Sequence, residues 1–189
     1  MKYRYAVDGD AAAMAALFAA NHVDALSEEQ RAEQGFVQGS LDEDTLRAMA
    51  GAGALLVAED GGRVAGVLML SDAQGVPSPP PPVAALLERQ ETLLWDERPL
   101  STLRWLLYGP VVVDAGHRGQ GVARALFDKA LAAARDRHAE AVVAFIEADN
   151  RPSWHVHVDG FGMRPLGDFT IDARTYHVVA APTRSGRPE

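Results

Sequence analysis

The chain has 189 residues, 18 Lys plus Arg against 26 Asp plus Glu, a formal charge of −8 and no cysteine. That length fits one domain, which can bury enough surface to fold without a disulfide or metal staple. The missing cysteine excludes thiol catalysis, Cys-based zinc sites and a disulfide framework. The acidic balance argues against a general nucleic-acid or anionic-membrane surface and suits a cationic partner such as an amine.

In chain order, Tyr3, Tyr5 and Val7 alternate with polar or small residues, the period of a half-buried strand. Met1-Lys2-Tyr3-Arg4-Tyr5 lacks the apolar core of a signal peptide, which predicts a cytoplasmic protein. Asp10 is placed to cap an Ala-rich helix, and the apolar run Ala11–Ala20 is too short to cross a membrane. Residues 24–36 read as loop or short helix. Ser40 and Glu43 have the spacing of a capping box ahead of Leu46 and Met49, with Gly51 and Gly53 as the stop. Leu55 to Ala58, the turn Glu59-Asp60-Gly61-Gly62 and Val64 to Leu70 read as a hairpin. The proline run 77–82 cannot enter a sheet interior. Val83, Leu86, Leu87 and Leu94 behind it predict an amphipathic helix ending before Pro99. Residues 73–101 are thus expected to be an insertion within one domain, 1–181, followed by a disordered tail, 182–189. The insertion and its helix could shape an acceptor mouth or form a dimer contact; the exposed proline run could dock an aromatic-lined domain, although a solvated loop is the simpler expectation for it.

Leu103 to Asp114 is the longest strand candidate, and Gly109-Pro110 inside it predicts a bulge or local loss of pairing. Val122 to Arg137 carries a clear helical stripe. Val142 to Ala148 reads as a buried strand, 151–159 as a short helix, and Phe169 to Ile171 with Tyr176 to Ala180 as a terminal hairpin.

The segment Val111 to Arg124 runs strand, glycine-rich turn, helix start. The first amides of a helix lack internal partners and favour negative charge, and glycine lets a phosphate approach the backbone. Arg118 and Arg124 add positive charge. A tight connection with no ligand is the plain structural alternative. A Walker loop needs Lys where Val122 stands, and a Rossmann fingerprint fails at Arg124. The pattern Arg/Gln-x-x-Gly-x-Gly/Ala is met in full by Arg118, Gly121 and Ala123.

With Asn150 downstream and the order of elements above, the chain resembles the GNAT superfamily of N-acetyltransferases from residue 1 to about residue 181. The resemblance implies an α/β (α+β) fold with a mixed, mostly antiparallel central sheet of about seven strands flanked by helices and splayed between its fourth and fifth strands. It implies acetyl-CoA as cosubstrate, with no metal. The pyrophosphate would lie on the amides of Gly119, Gln120, Gly121, Val122 and Ala123, near Arg118 and Arg124. The pantetheine arm would pair with Val111, Val112 and Val113, an amide near Val111 serving as oxyanion donor.

Asn150 and Ser153 match further coenzyme-binding positions of the superfamily. His157 stands where its members carry Tyr, and the spacing from there to Gly162 is one residue longer than usual. His157 would then lie beside the coenzyme sulfur and hydrogen-bond or protonate the departing thiolate. Packing or surface roles are the alternative for His155 and His157, and a metal site at the pair lacks a third ligand. Glu147, ahead of Asp149, is the general-base candidate. Trp154 and Phe161 read as core anchors, and Glu28, Glu29 and Phe36 could border the acceptor. The expected activity is acetyl transfer to a small, cationic primary amine by direct attack; a non-catalytic acyl-CoA sensor or interaction module is the rival. The resemblance also allows a homodimer.

Overall fold

The β-branched and aromatic runs become strands and the Ala/Leu stripes become helices, as their periodicities require. In chain order these are β1 (Lys2–Tyr5), α1 (Ala11–Ala20), α2 (Glu28–Gln34), α3 (Glu43–Gly51), β2 (Leu55–Asp60), β3 (Arg63–Ser71), α4 (Pro81–Glu88), β4 (Leu94–Trp95), β5 (Arg98–Pro99), β6 (Trp105–Val113), α5 (Val122–Asp136), β7 (Ala141–Glu147), α6 (Arg151–Trp154), β8 (Arg164–Ile171) and β9 (Arg174–Pro182). The structure is a computed structural model describing residues 1–76 and 78–184. Seven strands form one mixed sheet in the order β1-β2-β3-β6-β7-β9-β8, and β4 with β5 forms a separate hairpin. The pairs β1–β2, β2–β3, β7–β9 and β8–β9 are antiparallel, whereas β6 and β7 are parallel. The expected α/β class and mostly antiparallel sheet are therefore found.

The residues gather into two compact units, 1–70 with 109–130, and 71–108 with 131–189. In the first, α1 and α3 close a core of Met14, Phe18, Leu46, Leu55, Val57 and Val112. Helix α3 starts later than the sequence suggests. Asp42, not Ser40, caps it, accepting from the Thr45 amide at 2.7 Å. The hairpin of β2 and β3 turns at Gly61 and Gly62 as expected. On β3, Gly66 permits a close approach: a Cβ there would lie 3.1 Å from Val122 Cγ1 and 3.2 Å from Leu126 Cδ1. The first turns of α5 rest on that bare backbone.

In the second unit the helix expected behind the proline run is present as α4, and Pro81 and Pro82, expected to be extended, form its first turn. Val83, Leu86, Leu93, Trp95 and Leu100 are buried in one core with Val143, Phe169, Tyr176 and Val178. The apolar stripe is thus satisfied by packing, although Leu94, expected on the helix, lies on β4 and is exposed. The strand reading of the last segment extends further than expected. Pro182 ends β9, and Thr183 is buried with its hydroxyl donating to the Ala139 carbonyl at 2.6 Å. The tail predicted from residue 182 is accordingly placed through residue 184, and residues 185–189 lie outside the described residues.

The β6–β7 ladder is short. Trp105, Leu106 and Leu107 pair with Ala141, Val142 and Val143, and no further pair is registered between the two strands. Beyond Val143, β7 keeps β9 on its other edge as far as Glu147. The expected end of pairing between the fourth and fifth strands of the main sheet falls here.

Gly66→Val should destabilise the protein by about 1–3 kcal/mol, because the added methyls must displace Val122 or Leu126. Urea unfolding reads this directly; an unchanged midpoint would show that α5 does not depend on the approach.

Candidate active site

The glycine turn is built by short-range bonds. The Asp114 side chain accepts from the Gly116 amide at 3.1 Å, and the Gln120 side chain donates to the Gly116 carbonyl at 2.8 Å. The Asp114 amide itself donates to the Ala65 carbonyl at 2.9 Å, tying the end of β6 to β3. Gly119 and Gly121 have φ of 72° and 79°. That left-handed backbone disfavours residues with a Cβ. The Ala125 amide donates to the Gly121 carbonyl at 3.0 Å, so the helical ladder begins at Gly121. Among the described residues, the amides of Gly119, Gln120, Gly121, Val122 and Ala123 find no backbone acceptor outside the helix. These are the donors a helix start leaves over, and they form an anion cradle.

Side chains fix the flanks of this turn. His117 places Nδ1 at 2.9 Å from Asp114 and Nε2 at 3.3 Å from Asp60. Hydrogen bonds to these two carboxylates raise its pKa. Arg118, expected near a diphosphate, hydrogen-bonds to the protein. Its Nε donates to the Val113 carbonyl at 3.2 Å, Nη2 to Asn21 Oδ1 at 2.6 Å, and Nη1 to Gln34 Oε1. Arg124 lies on the exposed side of α5, paired with Asp128 at 3.3 Å. Val112 is buried in the core, whereas Val111 and Val113 are half-buried.

The other candidates lie in the second unit, around the end of β7. Asn150 is buried, and its Oδ1 accepts from the Ser153 amide at 3.3 Å, so it caps α6. Residues 155–160 then form a π-helical segment, with the Phe161 amide donating to the Val156 carbonyl at 2.9 Å and the Met163 amide to the His157 carbonyl at 3.0 Å. A π-turn accommodates one extra residue in a helix. It gives the long His157-to-Gly162 spacing a physical form.

That segment turns His157 inward, where it is only 5% exposed. The ring meets Tyr108 and Phe161 edge-on, with centroids 5.5 and 5.3 Å away. Its Nδ1 lies 2.7 Å from the Ser153 carbonyl and 3.3 Å from Ser153 Oγ. A carbonyl only accepts, so Nδ1 carries the proton and Nε2 keeps a lone pair. Burial lowers the His157 pKa, and the Ser153 carbonyl opposes this more weakly. The lowered pKa favours the neutral imidazole, protonated at Nδ1.

Glu147 ends β7 opposite Tyr176 of β9. Burial raises its pKa, against the pull of Arg174, whose Nε lies 3.8 Å away. Glu147 shares strand parity with Val143 and Phe145, which pack in the core with Trp105 and Leu107. His157 packs on Tyr108, which has the opposite parity on β6. The two catalytic candidates therefore belong to opposite faces of the sheet. Trp154 and His177 meet edge-on at 5.0 Å, and Phe161 packs on His157.

Asn21, Gln34, Asp60 and Tyr108 also belong to these networks. Nothing local signals them, since Arg118 contacts residues 84 and 97 positions away in sequence. Only Asp114-x-x-His117 carries a short-range hint. Among the described residues, no group of three His, Asp or Glu side chains is arranged to hold a metal, and no helix is long and apolar enough to cross a membrane.

This fold and turn define an acetyltransferase of the GNAT class. The profile of the acetyltransferase (GNAT) family matches residues 12–163, and the chain belongs to that family. No curated protein sequence matches it significantly. Among solved structures, yncA of Salmonella typhimurium, with its cofactor acetyl-CoA, aligns at a TM-score of 0.65 and 18% identity over 100% of this chain and 97% of the other. An N-acetyltransferase from Staphylococcus aureus Mu50 aligns at 0.63 and 18%, covering 97% and 98%. A Drosophila melanogaster polyamine N-acetyltransferase that forms N-acetylagmatine aligns at 0.63 and 14%, covering 96% and 99%.

The two histidines should titrate on opposite sides of an ordinary imidazole, His157 below and His117 above. The unfolded chain then binds the His157 proton first, so that stability falls as pH drops through the ordinary imidazole range. The His117 contribution is present below that range and fades as pH rises through its higher folded pKa. Imidazole NMR titration checks the order; a His157 that titrates with or above His117 would contradict the burial argument.

Proposed function

We propose that this acetyltransferase passes the acetyl group of acetyl-CoA directly to a primary amine of a small cationic acceptor. The observation that carries the reading is the row of amides from Gly119 to Ala123, offered by a left-handed glycine turn at the start of a 15-residue helix. Such a row matches a diphosphate in charge and donor geometry. Arg124 adds exposed positive charge at the same helix start. The β6 segment Val111 to Val113 offers backbone groups suited to the amides of a pantetheine arm. The cationic acceptor is supported by the net charge of −8 and by the polyamine enzyme among the structural relatives.

In this reading Glu147, with its raised pKa, takes a proton from the acceptor ammonium. The neutral amine attacks the thioester carbonyl, whose oxygen is held by a β6 amide near Val111. The N–C bond forms and the C–S bond breaks. The second proton leaving nitrogen passes to solvent; Nε2 of neutral His157 takes up a solvent proton and gives it to the departing sulfur, yielding amide and thiol. Asn150 and Ser153 support the coenzyme side by holding α6 and the His157 tautomer.

Calorimetry with CoA and thiol release with an amine panel test this. Wild type should bind CoA and release thiol. Gly121→Glu should abolish binding while Gly121→Ala, equally strained but uncharged, weakens it less. Glu147→Gln should lower kcat by about 10²-fold with CoA affinity kept. No CoA binding at millimolar concentration would refute the proposal, and binding without turnover on any amine would favour a sensor.

A further inference from the structure

Arg118 is the motif's most prominent cation, yet its guanidinium is spent on three neutral oxygens. Val113 O, Asn21 Oδ1 and Gln34 Oε1 each accept from a different nitrogen. Val113 ends the strand that leads into the glycine turn. Asn21 ends α1; it is buried, and its own Nδ2 donates to the Leu17 carbonyl at 2.8 Å, which presents Oδ1 outward to the arginine. Gln34 is the last residue of α2, a helix with no buried residue. Segment 21–38 is also tied by backbone bonds, Val23 to Val37 and Val37 to Asn21, both at 2.9 Å, by His22 Nε2 near the Gln38 carbonyl at 2.8 Å, by Arg31 donating to the Val23 carbonyl at 3.3 Å, and by Val37 packing on the first core. Among the described residues no carboxylate lies within ion-pair distance of Arg118; burial lowers its pKa, and the charge of Asp114 opposes this more weakly.

A planar fork with fixed donor directions suits this bracket; a point charge does not. We propose that Arg118 is a positioning residue that locks the glycine turn to segment 21–38, and that the diphosphate is read by backbone amides and not by this cation. Occupancy of the turn and order in segment 21–38 are thereby coupled. The proposal rests on the coenzyme reading for its ligand, but the lock itself is a property of the free protein.

The test combines calorimetry with CoA at several salt concentrations and hydrogen exchange over 21–38 and 114–123, in wild type, Arg118→Lys, Arg118→Gln, Asn21→Ala, Gln34→Ala and the two alanine variants combined with Arg118→Lys. A lock predicts that Arg118→Lys, despite keeping its charge, weakens CoA binding about tenfold. Asn21→Ala and Gln34→Ala should do the same in kind, the effects should not add to that of Arg118→Lys, and the salt dependence should match wild type. CoA should slow exchange over 21–38 in wild type and not in Gln34→Ala, a surface change that spares the core. Wild-type affinity in Arg118→Lys together with a weaker, less salt-sensitive Arg118→Gln would overturn the proposal and make Arg118 a phosphate ligand. If wild type binds no CoA, the coenzyme reading fails by itself. Exchange over 114–123 then decides the lock: faster in Gln34→Ala supports it, and unchanged refutes it.

Discussion

Five backbone amides at the start of α5 are the constraint around which the first unit is arranged. They are donors that a helix cannot satisfy within itself, and the left-handed conformations of Gly119 and Gly121 hold them in one short arc. The surrounding structure keeps them there. Gly66 lets α5 approach β3, the Asp114 amide ties the turn to Ala65, and His117 and Arg118 brace its two sides. The arginine of the motif is hydrogen-bonded to three neutral oxygens of this same unit.

The second unit contributes a different kind of chemistry. Pairing between β6 and β7 stops at Leu107 and Val143, and the functional candidates follow that point on both faces of β7. Glu147 sits on the aromatic face and is made more basic by burial. His157, on the other face, is made less basic by burial and is fixed in one tautomer by Ser153. In the proposed reaction these environments divide the roles, Glu147 taking the first proton and His157 passing one to sulfur.

Much of this was legible in the sequence, for stated reasons. Strand alternation, the Gly61-Gly62 turn and the α5 stripe are local signals, and they located the sheet and the signature helix. The Arg118-to-Ala123 pattern is also local, since it encodes a turn. Contacts that depend on residues far apart in sequence were not legible. The partners of Arg118 lie on α1 and α2, and no periodicity points to them. In the insertion the apolar stripe of α4 is a local signal, whereas the burial of Leu93 and Trp95 against Val143 and Phe169 depends on distant residues. His157 was noticed as a departure, but its tautomer depends on a π-turn that only three-dimensional bonding defines.

The central claim is that backbone N–H groups of residues 119–123 hold the diphosphate of the coenzyme. The most direct measurement is the amide chemical shift of those residues on titration with CoA and, separately, with pantetheine, which lacks the diphosphate. The account predicts large shifts at Gly119 to Ala123 with CoA and none there with pantetheine. Shifts confined to other parts of the chain, or the same shifts with both ligands, would contradict it.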